Sequence, residues 1–133
     1  MNIYEFFSQR AGLWLSQCTS RNLLTQECQN QRQQIKVEFH APDRLAILVD
    51  KQDSLLTALP TEGGVAGKLI LLQAEREYQG EFSISADRVL SIGIMVDGNR
   101  MEEKLWFPLP NLCMRTAWGL NQTHFWTEVR KLS

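Results

Sequence analysis

Short segments in which apolar and polar residues alternate recur along most of this 133-residue chain. The clearest is residues 35–40, where Ile35, Val37 and Phe39 are separated by polar side chains. Alternation with a period of two is typical of a β-strand that has one face on a core and the other in water. Many short segments of this kind, joined by turns, predict a β-sandwich or an up-and-down barrel.

Turn residues separate the predicted strands. Asp97-Gly98-Asn99 predicts a hairpin turn, because glycine and asparagine adopt positive φ at low cost. Residues 60–67, which include three glycines, predict a loop, and Pro42-Asp43 ends the segment that begins at residue 35. We expect strands at residues 13–24, 35–40, 68–75, 80–85, 89–96, 102–107 and 112–119.

Three segments leave the type of element open. Residues 26–34 are rich in glutamine and form either a polar connection or an exposed strand end. Residues 43–52 are either a short helix begun by Pro42 or another strand, because periodicity does not separate the two. Residues 124–132 are a final strand or a short helix.

A short helix is expected at the start of the chain. Asn2 can cap it, and Glu5 stands at the position of a capping-box partner. Ile3, Phe6 and Phe7 then share one face. A helix of about two to three turns is not stable alone, so its apolar face must pack on something. We expect it to cover one end of a barrel.

The Gly-x-Trp sequence at Gly12 and Trp14 favours the barrel over the sandwich. Gly12 ends the helix, and a Gly-x-Trp that opens the first strand resembles the start of lipocalin-like barrels. There the tryptophan closes the barrel floor and a late arginine packs across its indole; Arg115 and Arg130 are the candidates. We therefore expect one domain, residues 1–133, folded as a mostly β, antiparallel up-and-down lipocalin-like barrel with a short N-terminal helix.

Composition and charge exclude several classes of function. Fourteen basic and fifteen acidic residues leave a net charge of −1, without a basic run, so neither nucleic acid nor a membrane is an expected partner. The N-terminus lacks the features of a secretory signal. Three cysteines without a Cys-x-x-Cys spacing suit the reducing cytoplasm. His40 and His124 are isolated, so no metal site is expected.

Residues 101–116 carry the strongest functional signal. They combine adjacent glutamates, two large aromatics, a Pro-Asn turn and a lone arginine in one strand–turn–strand unit. An extended, planar, acidic ligand needs a cation for its carboxylates, a carboxylate for its N–H groups and aromatic walls. The stretch resembles the Glu-Glu-x-Leu-Trp-Phe-x-x-Pro-Asn-Leu-x-x-Arg-Thr block of the S/U-type phycobiliprotein lyases. Those proteins hold an open-chain tetrapyrrole (a bilin) and assist its thioether attachment to antenna proteins.

The resemblance reaches both ends of the chain. Phe6-Phe7, the Gly-x-Trp sequence and Ser16-Gln17 are similar to the opening of the family. Residues 125–130 are similar to its Phe-x-x-Glu-Ile-Arg close, whereas residues 26–85 match little. The likeness therefore covers the first strand, the late hairpin and the tail in order.

Three positions depart from the family pattern. Cys18 and Cys113 stand where the family has arginines linked to propionate binding, and Ala117 stands where it has a serine. A neutral thiol cannot grip a carboxylate as a guanidinium does. The chain is also shorter than most members of the family. A non-catalytic role therefore remains open beside an active one.

The resemblance also implies site residues. Arg115 would grip a bilin propionate bidentately, and Glu103 would neutralise or protonate the pyrrole system. These two are the predicted catalytic residues. The remaining predicted bilin contacts are Trp14, Ser16, Trp106, Phe107, Asn111 and Thr116.

Most of these additional contacts have a purely structural interpretation as well. Trp106 and Phe107 suit a core, and because they point to opposite faces of one strand, at most one should line a pocket. Asn111 suits a turn whose backbone its side chain bonds. The hydroxyls of Ser16 and Thr116 suit exposed strand positions.

The function that the resemblance implies is assisted thioether attachment of a bilin to a cysteine of a phycobiliprotein α or β subunit. The bilin is then a substrate, and no permanently bound cofactor is expected. One alternative is a non-catalytic partner in a heteromeric lyase; the other is a lipocalin-like carrier for bilin or an apolar ligand. The implied location is the cyanobacterial cytosol, during phycobilisome assembly. The resemblance also leaves open a homodimer, or a heterodimer with a related lyase subunit.

Overall fold

Consecutive antiparallel hairpins form a closed barrel. In the computed structural model, which describes residues 1–50 and 52–132, one helix is followed by ten strands. Each strand pairs with its neighbours along the chain, and β1 pairs with β10 to close the barrel. The predicted up-and-down barrel with a short N-terminal helix is therefore confirmed. The elements are α1 Ile3–Arg10, β1 Gly12–Asn22, β2 Cys28–His40, β3 Arg44–Val49, β4 Gln52–Pro60, β5 Ala66–Gln73, β6 Arg76–Ile84, β7 Leu90–Val96, β8 Asn99–Leu109, β9 Leu112–Gly119 and β10 Gln122–Arg130.

Helix α1 begins and ends close to the predicted positions. The Asn2 side chain accepts a hydrogen bond from the Glu5 backbone N–H at 2.9 Å, as a helix N-cap does. The helix ends at Arg10, and Gly12 then opens β1 with a φ of 143°. This φ favours glycine, and a Cβ at Gly12 would also force the Arg130 guanidinium to shift. Among the described residues, no helix is long and apolar enough to span a lipid bilayer.

The apolar face of α1 seals one end of the barrel. Ile3, Phe6 and Phe7 are buried in the core, as their spacing predicts. Phe6 also packs on Phe107 of β8, with ring centroids 5.2 Å apart. Arg10 lies on the same face, seven residues after Ile3, and is only 2% exposed. The helix therefore brings a buried cation as well as apolar side chains into the barrel.

Trp14 forms the floor of the barrel beside α1. Its side chain is fully buried, and the Arg130 guanidinium carbon lies 4.4 Å from the indole centroid. Arg130 also donates hydrogen bonds to the carbonyl groups of Gln9 and Ala11. Of the two candidates for the late arginine, Arg130 therefore has this position, and Arg115 stacks elsewhere.

Tight turns form the end of the barrel opposite α1. The predicted turn at Asp97-Gly98 connects β7 and β8, and both residues have positive φ. Ala74-Glu75 and Leu120-Asn121 form further two-residue turns with positive φ at both positions. This combination is typical of type I′ hairpin turns, whose twist matches that of the flanking strands. Three of the connections at this end are thus as short as a hairpin allows.

The open assignments resolve as strands. Residues 26–34 mostly belong to the exposed first half of β2, and residues 43–52 contain β3 rather than a helix. The final segment is strand β10. Residues 53–59, for which the alternation predicts no element, lie in β4. Apolar side chains occur on both faces of β4, where Leu55 faces outward and Leu56 faces the core, so the period of two is hidden.

Candidate functional site

The barrel encloses a cavity at the end opposite α1. Its volume is about 270 Å³. Aliphatic side chains of β2, β3, β4, β5 and β7 form most of its wall, together with polar residues near the open end. A second cavity of about 40 Å³ lies between the first one and α1. The larger cavity is lined by Gln33, Ile35, Ile47, Val49, Gln52, Ser54, Leu56, Leu71, Gln73, Ile92, Ile94, Glu103, Arg115 and Trp126.

Glu103 and Arg115 lie together where the two cavities meet. They project inward from the paired strands β8 and β9. One Glu103 oxygen, Oε1, accepts from Arg115 Nε at 2.8 Å and lies 2.7 Å from Nη2. The structure thus brings the two predicted catalytic residues into contact inside the barrel. Their roles toward a ligand stay predictions.

Glu128 extends this pair into a buried network. Its Oε2 accepts from Arg115 Nη1 at 3.2 Å, and its Oε1 lies 2.7 Å from Nη2 of Arg10. The Glu128 side chain has no exposed surface, and that of Arg10 is 2% exposed. Two guanidinium groups and two carboxylates therefore form one chain, in the order Arg10, Glu128, Arg115, Glu103. Its formal charge is zero.

The network keeps its central members ionised. Burial alone would raise the pKa of Glu128, but attraction from Arg115 and Arg10 outweighs it and the pKa is lowered. Burial would lower the pKa of Arg115, but Glu103 and Glu128 raise it overall. Ser16 is buried, and its hydroxyl helps to lower the pKa of Glu128, although no well-aligned hydrogen bond joins it to any described residue.

Trp126 gives the cavity an aromatic wall. The Arg115 guanidinium lies over its indole, 4.1 Å from the ring centroid. On the side of the open end, His124 stacks on Trp126 at 5.4 Å, and His124 Nδ1 lies 2.8 Å from Ser20 Oγ. Burial, followed by repulsion from Arg115, lowers the pKa of His124. Arg115, Trp126 and His124 therefore form a stack of planar groups that extends from the ion network toward the open end.

Three other predicted contacts lie inside the barrel but below or beside the large cavity. Trp14 is the floor, and Phe107 packs between it and α1, 6.1 Å from the indole centroid. Ser16 faces Glu128 on the neighbouring strand. As expected from alternation, Phe107 rather than Trp106 points inward. None of the three lines the large cavity in the described structure.

Trp106, Asn111 and Thr116 lie away from the cavity. Trp106 alternates with inward residues of β8, and Thr116 follows the inward Arg115 on β9, so both face outward. Asn111 lies in the β8–β9 turn at the floor end, where its backbone carbonyl accepts from the Arg130 N–H. Among the described residues these three do not line the large cavity, and their contact with a ligand stays a prediction.

The cysteines that replace family arginines are buried and not joined to each other. Cys18 is 5% exposed and Cys113 is fully buried, and both thiols are free. They lie on β1 and β9, with β10 between these strands, so about 10 Å of sheet separates the strands. Burial is the main cause that raises the pKa of Cys113 to about 11. Neither thiol lines the large cavity.

Arg10, Trp126 and Glu128 were missed as site residues by the sequence reasoning. The sequence pattern nevertheless indicates an inward-facing position for each of these three side chains. Arg10 continues the helical face of the apolar residues of α1. Trp126 and Glu128 alternate with Arg130, so one face of β10 carries all three side chains.

Comparison with known proteins gives full-length relatives. No protein-family model matches the chain. The chromophore lyase CpcS/CpeS of Thermosynechococcus vestitus is 25% identical over 169 aligned positions, covering 98% of this chain and 93% of the relative. The chromophore lyase CpcS/CpeS 1 of Trichodesmium erythraeum is 26% identical, covering 99% of each chain. Since 169 positions exceed the length of this chain, the first relative has residues without a counterpart here.

A solved structure has the same fold. The S-type phycobiliprotein lyase CpeS of Guillardia theta superposes with a TM-score of 0.81 at 21% identity, covering 100% of this chain and 94% of that chain. At this identity the match supports the fold alone. Along its whole length the chain is thus similar in sequence to the CpcS/CpeS chromophore lyases, and its barrel has the fold of a solved S-type lyase.

Proposed function

We propose that this protein is a bilin lyase that assists thioether attachment of a linear tetrapyrrole to a cysteine of a phycobiliprotein α or β subunit. The observation that carries the proposal is the Arg115–Glu103 pair at the base of an open cavity. It occurs in a chain that is similar to chromophore lyases over its whole length. The bilin is the substrate, and no permanently bound cofactor is required.

The geometry suits one end of a bilin. Arg115 offers a propionate a charged donor pair, Glu103 offers pyrrole N–H groups an acceptor, and Trp126 offers a flat wall. Ligand pockets usually measure about 300–1,000 Å³, so a cavity of about 270 Å³ holds part of a tetrapyrrole. The remainder of the bilin then extends past the open end, where an acceptor protein can reach it.

The acceptor supplies the thiol in this proposal. The raised pKa and burial of Cys113 keep that thiol protonated, and Cys18 is also buried. The lyase contributes by orienting the bilin and by controlling protons near the pyrrole system through Glu103. Reaction in the cyanobacterial cytosol fits the free cysteines and the cyanobacterial relatives.

A covalent attachment assay tests the proposal. The protein is mixed with bilin and apo phycobiliprotein subunit, the mixture is denatured, and bilin absorbance is measured on the separated subunit. We expect the protein to increase the covalent adduct over a lyase-free reaction. Arg115→Gln should abolish the increase, and Arg44→Gln, at an exposed position, should retain it. Equal adduct with and without the protein would contradict lyase activity.

A non-catalytic subunit of a heteromeric lyase is the second candidate. The uncharged Cys18 and Cys113 and the charge-balanced network favour it, because they leave less positive charge for propionates. Co-expression with a related lyase subunit tests this role, including assembly as a heterodimer. Activity that appears only in the co-expressed sample would favour the subunit role. Bilin binding that yields no adduct with or without the second subunit would favour a lipocalin-like carrier.

A further inference from the structure

Arg115 has one carboxylate partner that a ligand can reach and one that it cannot. We propose that the cavity accepts a single ligand carboxylate, which displaces Glu103 from Arg115, while Glu128 and Arg10 hold the guanidinium in place. The inference rests on the proposed function and adds a step and a selectivity to it. Before a ligand binds, the Glu103 carboxylate therefore occupies the place on Arg115 that the ligand carboxylate takes. Glu128 and Arg10 are positioning residues for the Arg115 guanidinium.

Glu103 is placed to exchange. Its side chain is 26% exposed and lines the large cavity. Both the Nε and Nη2 groups of Arg115 contact the same Glu103 oxygen, Oε1. A ligand carboxylate can instead place one oxygen on each donor, which is the stronger bidentate geometry. Displacement then frees the Glu103 carboxylate to accept from ligand N–H groups.

Glu128 is not placed to exchange. It has no exposed surface and is held from two sides, by Arg115 on β9 and by Arg10 on α1. Removing it would leave Arg10 buried without a counter-ion, which is strongly unfavourable. The Glu128–Arg10 pair therefore fixes the Nη1 side of Arg115 and leaves its Nε–Nη2 edge directed at the ligand.

The cavity has a cation for one carboxylate only. Arg115 is the only cationic residue among the described residues that line the large cavity. Arg10 is 2% exposed and lies behind Glu128, so a ligand cannot reach it from the cavity. A second carboxylate would meet Glu103 or the apolar wall. One propionate of a bilin should therefore bind at the base while the other stays in water.

Small planar carboxylates test the exchange without bilin or acceptor. We propose to titrate 2-naphthoate and its neutral match 2-naphthamide into wild type, Glu103→Gln and the control Glu102→Gln, using calorimetry. Glu102 lies next in sequence and bonds Arg100 at 2.7 Å. Glu103→Gln removes the competing charge, so it should tighten naphthoate binding about tenfold, the scale of one charge-assisted hydrogen bond. Naphthamide binding should stay unchanged, as should naphthoate binding to Glu102→Gln.

Several results would overturn the inference. Naphthoate binding that Glu103→Gln weakens, or leaves as in Glu102→Gln, would show that Glu103 does not compete for Arg115. A dicarboxylate, 2,6-naphthalenedicarboxylate, should bind about as tightly as naphthoate, and much tighter binding would refute the one-carboxylate limit. If Glu103→Gln does not fold, the wild-type Arg115 Nε–H resonance decides: it should shift with naphthoate and not with naphthamide.

These outcomes separate the inference from the proposed function. If naphthoate exchange behaves as expected but no covalent adduct forms in the attachment assay, the carboxylate site stands and lyase activity does not. If the adduct forms but Glu103→Gln fails to tighten naphthoate binding, lyase activity stands and the exchange does not.

Discussion

Arg130 covers the indole of Trp14 at 4.4 Å and, through hydrogen bonds to the Gln9 and Ala11 carbonyls, ties the last strand to the end of α1. One side chain thus joins the two ends of the chain at the barrel floor. The cation lies on the face of the ring, where the negative π-cloud attracts it. This contact holds in place the helix that carries Arg10 into the interior.

Removing this link should weaken the fold. Arg130→Leu deletes the stacked cation and its hydrogen bonds to the Gln9, Ala11 and Pro110 carbonyls, so we expect the free energy of unfolding to fall by about 2–3 kcal/mol. Urea denaturation followed by circular dichroism measures the loss. Arg44→Leu, at an exposed position on β3, is the control and should change stability by less than about 0.5 kcal/mol. Similar losses in both variants would contradict the structural role of Arg130.

Glu128→Gln should destabilise the protein and change its response to acid. It leaves Arg10 buried without its anion, and breaking such a pair costs about 3–5 kcal/mol. The pKa of Glu128 is lower in the folded state, so its contribution is present above the unfolded pKa and is lost as pH falls through the folded pKa. Urea unfolding at a series of pH values should therefore show a smaller loss on acidification in Glu128→Gln. Parallel curves for variant and wild type would refute this.

Thiol reactivity should distinguish the three cysteines. Cys28 is exposed, whereas Cys18 and Cys113 are buried, and the raised pKa of Cys113 further lowers its thiolate fraction. A colorimetric disulfide reagent should modify one thiol rapidly in the native protein and all three in urea. Cys28→Ser should remove the rapid phase. A rapid phase that survives this substitution would show that a second thiol is accessible.

Trp126→Leu should weaken bilin binding more than a matched change outside the barrel. It removes the wall that contacts Arg115 and His124, so we expect about a tenfold weaker affinity, comparable to the loss of one aromatic stacking contact. Trp118→Leu, on the outer surface, is the control and should bind as wild type. Titration of bilin absorbance measures both variants. Equal affinities would place the bilin away from Trp126.

The sequence predicted the barrel because alternation reports the environment of each strand. The same signal failed at β4, where Leu55 and Leu56 are both apolar but face opposite sides. It also missed the turns at Ala74-Glu75 and Leu120-Asn121, because neither contains glycine and only the second has a residue that commonly takes positive φ. Residue type therefore predicts turns and strands poorly where strand pairing imposes the backbone conformation.

The site was predicted in part for a similar reason. The Arg115–Glu103 contact follows from two strands that pair across one hairpin, and a motif within that hairpin points to it. The Arg10–Glu128 contact joins the first helix to the last strand, so no local pattern pairs them. The outward positions of Trp106 and Thr116 follow from strand parity, which is set by the alternate residues of β8 and β9 that reach the core.

The two-residue turns at Ala74-Glu75, Asp97-Gly98 and Leu120-Asn121 leave those hairpins no spare chain to fold over the opening. A ligand in the cavity would contact the ion network at its inner end, and these hairpins would leave its outer end uncovered. Under the proposed function, the acceptor subunit covers this outer part of the bilin when it docks, so acceptor binding and bilin release take place in one complex.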